Sequence, residues 1–279
     1  MKATAPACYG SGMKLVDTHA HLTDRRFRDN LDAVVQRAAE AGVGTIITQA
    51  AALEECEAVL KLAERFPSVF AAVGVHPQAA GDSPDDVTNA LAEFAKHPKV
   101  VAIGETGMDY HYLPSRMQQR PDLDAATIAS QRRVFAQQLE LAARLNKPIV
   151  IHLRECADDL LELVTPYRGR LRGVFHCFSE NADVARRIVE LGFHISFSGM
   201  LTFKKNAALR EMAAQLPPER VMVETDCPYM SPEPHRGKCC EPAFVVHTAA
   251  TLAATRGVPV ETIAQQTTEN AVKLFGLPG

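Results

Sequence analysis

The chain has no tryptophan, and phenylalanine and tyrosine hold its aromatic content to 6%. A surface that stacks nucleic-acid bases would therefore have few platforms to offer. An excess of positive charge is also missing: 30 Lys and Arg against 33 Asp and Glu leave a formal net charge of -3. That balance excludes a protein that coats nucleic acid through bulk charge, so any anion binding must be local. No apolar run reaches roughly 18 residues, the length a membrane-spanning helix requires. The seven cysteines (Cys8, Cys56, Cys156, Cys177, Cys227, Cys239 and Cys240) form an odd set without C-x-x-C spacing. This argues against a disulfide framework and suits a reducing cytoplasm. Adjacent Cys239 and Cys240 read as incidental loop thiols. Residues 1–12, MKATAPACYGSG, lack the apolar core of a secretory signal and precede a second methionine, Met13. They read as a disordered extension or a misplaced start.

What is present is a hydrophobic fraction of 47%, ample for a sizeable core, arranged in a regular alternation. Apolar, β-branched runs occur at 14–17 (KLVD), 43–48 (VGTIIT), 69–75 (VFAAVGV), 100–105 (VVAIGE), 148–152 (PIVIH), 172–176 (RGVFH), 193–199 (FHISFSG) and 220–225 (RVMVET). Between them lie segments with helical spacing, such as NLDAVVQRAAEAG, DVTNALAEFAKH and NADVARRIVELG. Short buried strands separated by helices make a parallel sheet, and eight such units favour a closed (β/α)8 barrel. EPAFVVHTAATLAATRG supplies the closing helix, and VETIAQQTTENAVKLFG predicts a short capping helical pair. With no linker, repeat array or low-complexity segment, residues 13–279 read as one domain.

The polar residues fall at one end of these strands. His19 and His21, then His76, Glu105, His152, His176 and Asp226, follow apolar runs one, three, four, five, six and eight. In a barrel all C-terminal strand ends ring one mouth, where active sites of this architecture sit. Strand starts instead carry Lys14, Lys99, Lys147, Arg172 and Arg220. The stretch LVDTHAHL places His19 and His21 on alternate positions, projecting together with Asp17 beneath them. Four of these histidines with the two carboxylates already exceed what one tetrahedral ion with an open position needs, but suit two ions about 3.5 to 4 Å apart. Glu105 is the natural bridging group, because Lys147 sits at the wrong end of its strand to serve as a carbamylated bridge.

The motifs DTHAHL, GVHP, GETGMDY, PIVIH, HCFS, ETDCPY and HRGK, in this order, resemble those of the TatD family of metal-dependent deoxyribonucleases and related hydrolases. The resemblance runs from about Met13 to the end. It implies an amidohydrolase-like TIM barrel that hydrolyses DNA phosphodiester bonds, often as a 3′-5′ exonuclease in DNA repair or degradation, with two divalent metal ions (Mg, Mn or Zn). It further implies that His19, His21, Glu105 and Asp226 hold one ion, that Glu105, His152 and His176 hold the other, that His76 and Arg154 lie by the substrate, and that Glu224 lines the site. Catalytic roles then fall to Asp226, Glu105 and His76. Two ions would make hydroxide available near neutral pH and stabilise the extra charge of the transition state. Asp226 would orient the attacking water and take its proton. His76 and Arg154 would bind nonbridging phosphate oxygens, and Arg236 and Lys238 would extend a positive rim. Lys204 and Lys205 read as solvated.

The implied partner is DNA or RNA held through its phosphates, with no membrane involvement, and the protein itself is expected to be a cytoplasmic monomer or weak oligomer. The same site could instead hydrolyse an acyl ester such as aminoacyl-tRNA, or hold metal without turnover; intact ligand positions speak against the last. Departures from the family pattern are Gln78 in GVHPQ, Glu180 in HCFSE and Cys240 in HRGKCCEP, none at a ligand position. Residues 111–130 are longer than the family's usual loop after strand four and predict a flap that narrows substrate entry. Asp109 and Tyr110 read as ligand-bonding or loop-packing residues. Gln131, Phe135 and Gln138, on one helix face, read as core packing, and His97, His194 and His247 as structural or surface residues.

Overall fold

The structure, a computed structural model, describes residues 14–278; the expectation for residues 1–12 lies outside the described residues. Eight strands form one sheet, ordered in sequence and parallel throughout. They are β1 (Leu15–Ala20), β2 (Val43–Gln49), β3 (Val69–Val73), β4 (Val100–Asp109), β5 (Ile149–Arg154), β6 (Gly173–Phe175), β7 (His194–Phe197) and β8 (Val221–Val223). The helices are α1 (Leu31–Glu40), α2 (Cys56–Arg65), α3 (Thr88–Phe94), the single turn α4 (Pro114–Met117), α5 (Asp124–Leu145), α6 (Ala157–Val164), α7 (Ala182–Glu190), α8 (Ala207–Gln215), α9 (Val245–Arg256) and α10 (Val260–Phe275). The eight expected strands are all present, and the sheet curls until Ala20 meets Cys227 in a parallel bridge. Among the described residues no helix is long and apolar enough to cross a membrane.

Two apolar layers follow from the strands' alternation. One side packs against the helices. The other fills the barrel with Val16, Ile47, Ala72, Ala102, Val150, Val174 and Met222, and against these sit Leu274 and Phe275 of α10. The C-terminal segment is thus one 16-residue helix rather than the expected pair. It plugs the end of the barrel away from the mouth, where Asn270 Nδ2 donates to the carbonyls of Pro218 and Val221 at 2.8 Å each. The continuous apolar face from Ile263 to Phe275 explains the difference, since nothing in it breaks the helical spacing.

Gln131 and Gln138 are buried on α5 as expected, but they do more than pack. The Gln131 amide accepts from Asp109 N (2.9 Å) and donates to Asp109 O (3.2 Å). Gln138 treats Val75 in the same way, at 2.9 and 3.0 Å, and also donates to Thr106 Oγ1 at 2.6 Å. These amides satisfy strand-end backbone groups that have no neighbour in the sheet, a cost otherwise borne by the fold. The long helix thereby fixes the mouth ends of β3 and β4.

His194 opens β7 with its ring Nδ1 buried and unpartnered. Burial, with Arg220 nearby, pushes its pKa down to about 4. The folded protein therefore holds this ring neutral while the unfolded chain protonates near 6.5, so stability falls as pH drops from about 6.5 to about 4. The full effect is about 3 kcal/mol. Urea midpoints of metal-free protein should decline over that window, and His194→Asn should flatten the decline; an unchanged slope would refute the assignment.

Candidate active site

The mouth is assembled where β1 meets the residues after β8. His19 N–H lies at 3.4 Å from Asp17 Oδ1, and Asp226 N donates to His19 O at 2.9 Å. His21 N in turn donates to Cys227 O at 2.8 Å. This seam brings His19 Nε2 and His21 Nε2 to 3.2 Å from one another, with Asp226 Oδ1 3.8 and 3.5 Å from the same two atoms. Asp226 has φ +58, a left-handed conformation uncommon for a residue with a Cβ and met mostly at functional positions. Asp17, expected beneath the histidines, is fully buried and turned to the seam instead. Its carboxylate accepts from Thr225 N at 2.9 Å and Thr225 Oγ1 at 2.6 Å. Burial lifts its pKa to about 8 against the pull of those bonds.

Glu105 owes its place to the glycines beside it. Between Ile103, opposite Ile149, and Thr106, opposite Ile151, the register of β4 on β5 shifts. Such a bulge re-aims a side chain. Gly104 and Gly107 both have φ +143, a conformation open to glycine. A Cβ on Gly107 would lie 2.0 Å from His152 O, and one on Gly104 2.8 Å from Val150 Cβ. The two glycines of GETG thus let β4 press on β5 beside Glu105.

The two oxygens of Glu105 face different groups. Oε2 is 3.3 Å from His19 Nε2 and 3.5 Å from His21 Nε2. Oε1 is 2.7 Å from His176 Nε2, 3.0 Å from His152 Nδ1 and 3.4 Å from His76 Nε2. Behind the rings stand further carboxylates: Asp109 Oδ2 lies 3.1 Å from His152 Nε2, and Glu224 Oε1 lies 3.4 Å from His176 Nδ1. Glu224 also accepts from Cys177 N at 2.6 Å. His76 is oriented by its own turn, its Nδ1 accepting from Gln78 N at 3.1 Å. Burial alone would raise the Glu105 pKa, but His176, His76 and His19, with the His152 hydrogen bond, pull it well below the ordinary range. Burial works against a charge on His176, yet Glu105 and Glu224 hold its pKa well above the usual value.

These donors fit a metal. Four ligands at about 2.0 to 2.1 Å in a tetrahedron stand roughly 3.3 Å apart. The His19–His21 nitrogens, at 3.2 Å, and the His152–His176 nitrogens, also facing at 3.1 Å, match that edge. Three triads have all their donor atoms within 4.8 Å of one another: His19, His21 and Asp226; His19, Glu105 and His176; and His76, Glu105 and His152. Carboxylates behind ligating histidines fix ring orientation, the part Asp109 and Glu224 are placed to play.

The cluster floors a cavity of about 890 Å³. Arg154 lines it, and so do Arg25 and Arg28, which sequence reading passed over; the signal was the basic run DRRFR directly after the His-x-His strand. Arg236 and Lys238 do not line it. The Arg236 guanidinium lies over the Phe203 ring at 3.7 Å and donates to Ser231 O at 2.9 Å, which turns it from the mouth. Lys204 and Lys205 lie outside as well. Of the loop at 111–130, only residues before Asp124 are non-helical or short turns, and it is pinned by His111 and Arg116 to Glu155. Tyr112 from this loop lines the cavity, while Tyr110 hydrogen-bonds Asp159 at 2.5 Å. Away from the mouth, His247 faces His235 at 3.1 Å and His97 pairs with Glu64 at 3.2 Å. Cys239 is exposed and Cys240 buried.

Comparison with known proteins bears on this geometry. The model of the family described as "TatD related DNase" matches residues 16–276. A metal-dependent hydrolase of Bacillus subtilis, YabD, is 35% identical over 262 residues, covering 94% of this chain and 98% of that protein. A protein of Pantoea ananatis named as the 3'-5' ssDNA/RNA exonuclease TatD is 36% identical, covering 94% and 100%. The crystal structure of YJJV, a TatD homolog from Escherichia coli, superposes with a TM-score of 0.85 at 32% identity, covering 95% and 98%.

Proposed function

We propose, starting from the fact that the chain belongs to the TatD related DNase family, that it is a metal-dependent hydrolase of phosphodiester bonds in DNA, working from the 3′ end of a strand. The observation that carries the reading is Glu105, which offers one oxygen to His19 and His21 and the other to His152 and His176. The name of the Pantoea relative points the same way.

In this reading His19, His21, Glu105 and Asp226 would hold one divalent cation and Glu105, His152 and His176 the other, with Mg, Mn and Zn each compatible with imidazole and carboxylate donors. Two such cations supply Lewis acidity toward a phosphate and make hydroxide accessible near neutral pH. The chain's own groups do the rest. Asp226 orients the attacking water and accepts its proton at a carboxylate oxygen. His76 Nε2, held toward the floor of the cavity by its Gln78 contact, donates to a nonbridging oxygen. Arg154 binds a second nonbridging oxygen through its planar fork, and Arg25 and Arg28 accommodate neighbouring phosphates on the rim. Against burial, the hydrogen bond with His21 and the nearby His19 and His176 lower the pKa of Asp226. Free cysteines are consistent with a cytoplasmic site of action.

The test is incubation of metal-reconstituted protein with end-labelled single- and double-stranded DNA and with aminoacylated tRNA. Metal-dependent release of nucleotides from the 3′ end is expected, abolished by a chelator and reduced about a hundredfold or more by Asp226→Asn. Consumption of the acylated tRNA alone would replace this reading with acyl-ester hydrolysis.

A further inference from the structure

Few aromatic side chains are present, and their distribution is uneven. Among the described residues the exposed large hydrophobic side chains are Tyr112, Met117, Leu123, Leu145 and Tyr229, and of these both aromatic ones line the mouth cavity. Tyr112, 41% exposed, comes from the loop after β4; Tyr229, 47% exposed, lies three positions past Asp226. The Tyr229 ring stands edge-on to His21, with centroids 6.1 Å apart.

Each ring carries a cation. The Arg154 guanidinium lies over Tyr112 at 5.0 Å, and that of Arg26 over Tyr229 at 4.5 Å. Arg26 is in turn held by Asp24 through two contacts of 2.9 Å. Even with a guanidinium beside it, each ring remains more than 40% exposed in a residue that lines the cavity.

We propose that Tyr112 and Tyr229 are base-stacking platforms on two sides of the metal centre, which position the scissile phosphate by gripping the nucleobases that flank it. The inference rests on the nuclease reading above. It explains why a protein this poor in aromatic residues exposes two of them beside its catalytic floor: a phosphate alone needs only the cations and arginines, whereas an exposed ring is useful to a substrate with its own π-face. The stacked arginines add charge attraction to the adjoining phosphates and hold the rings upright.

The test compares kcat/KM for two 5′-labelled single strands that differ only in carrying abasic residues at the two 3′-terminal positions. The native enzyme should prefer the strand with bases by at least about tenfold, the scale of one good base–aromatic stack. Tyr112→Ala and Tyr229→Ala should each shrink that preference, mainly through KM, and Tyr→Phe at either position should restore it. Because the preference is a ratio within one preparation, a loss of folded protein cancels. An undiminished preference in both Ala variants overturns the inference and leaves the nuclease reading standing. Failure of the native enzyme to cut either strand removes the nuclease reading itself, and the inference with it.

Discussion

Glu105→Gln should lower kcat/KM on single-stranded DNA by a factor of about a thousand while the protein still unfolds in one cooperative transition. The side chain is nearly the same size, so packing in the barrel is kept. What is lost is the anion at the centre of five imidazoles, three of them within 3.5 Å of one oxygen. Burial of an amide there presents N–H groups to ring nitrogens that the carboxylate had faced with a negative charge. Loss of one preorganised electrostatic group in a dry site typically costs a hundred- to a thousandfold in rate, and in the proposed reading Glu105 would serve two cations at once, which places the expectation at about the upper end. Metal content measured on the purified variant should fall in parallel. A variant that keeps native metal content and loses less than about tenfold in activity would mean that Glu105 is not the shared group.

Gly107→Ala should destabilise the fold by about 3 kcal/mol or more, seen as a lower urea midpoint or as failure to accumulate soluble protein. Two independent costs act there. The backbone at φ +143 disfavours any residue with a Cβ, and the added carbon would sit 2.0 Å from His152 O. Relief requires β5 to retreat from β4, and His152 moves with it, so residual folded protein should also be impaired in activity. Gly81→Ala is the matched control, since nothing lies within 4 Å of its would-be Cβ; its midpoint should shift by no more than about 0.5 kcal/mol. Equal, small effects at both positions would show that the strands are not so closely apposed.

The barrel was readable because alternation of apolar runs with helical spacing is a local property, and each run reports on its own ladder. The ring of polar strand ends was readable for the same reason: parallel strands leave all their C-terminal ends on one side. Partners across the seam were not. Asp17 shares the parity of His19 and His21, which predicts a common face, but its contact with Thr225 depends on how β1 closes on β8, more than 200 residues away in sequence. Gln131 and Gln138 carried helical spacing without any mark of the backbone groups they would satisfy. The basic run after β1 and the two tyrosines were visible as residues, yet only the position of the cavity gives them meaning, and Arg236 and Lys238 had equal charge without that position.

The seam between His19 and Asp226 also has a consequence for the life of the molecule. Translation delivers the histidine pair at the very start and the aspartate only after residue 225, with Glu105, His152 and His176 in between. Until the ribosome has passed β8 the His19–His21 side of the centre lacks its aspartate, so under the reading proposed above a half-made chain would carry the histidines without a complete site.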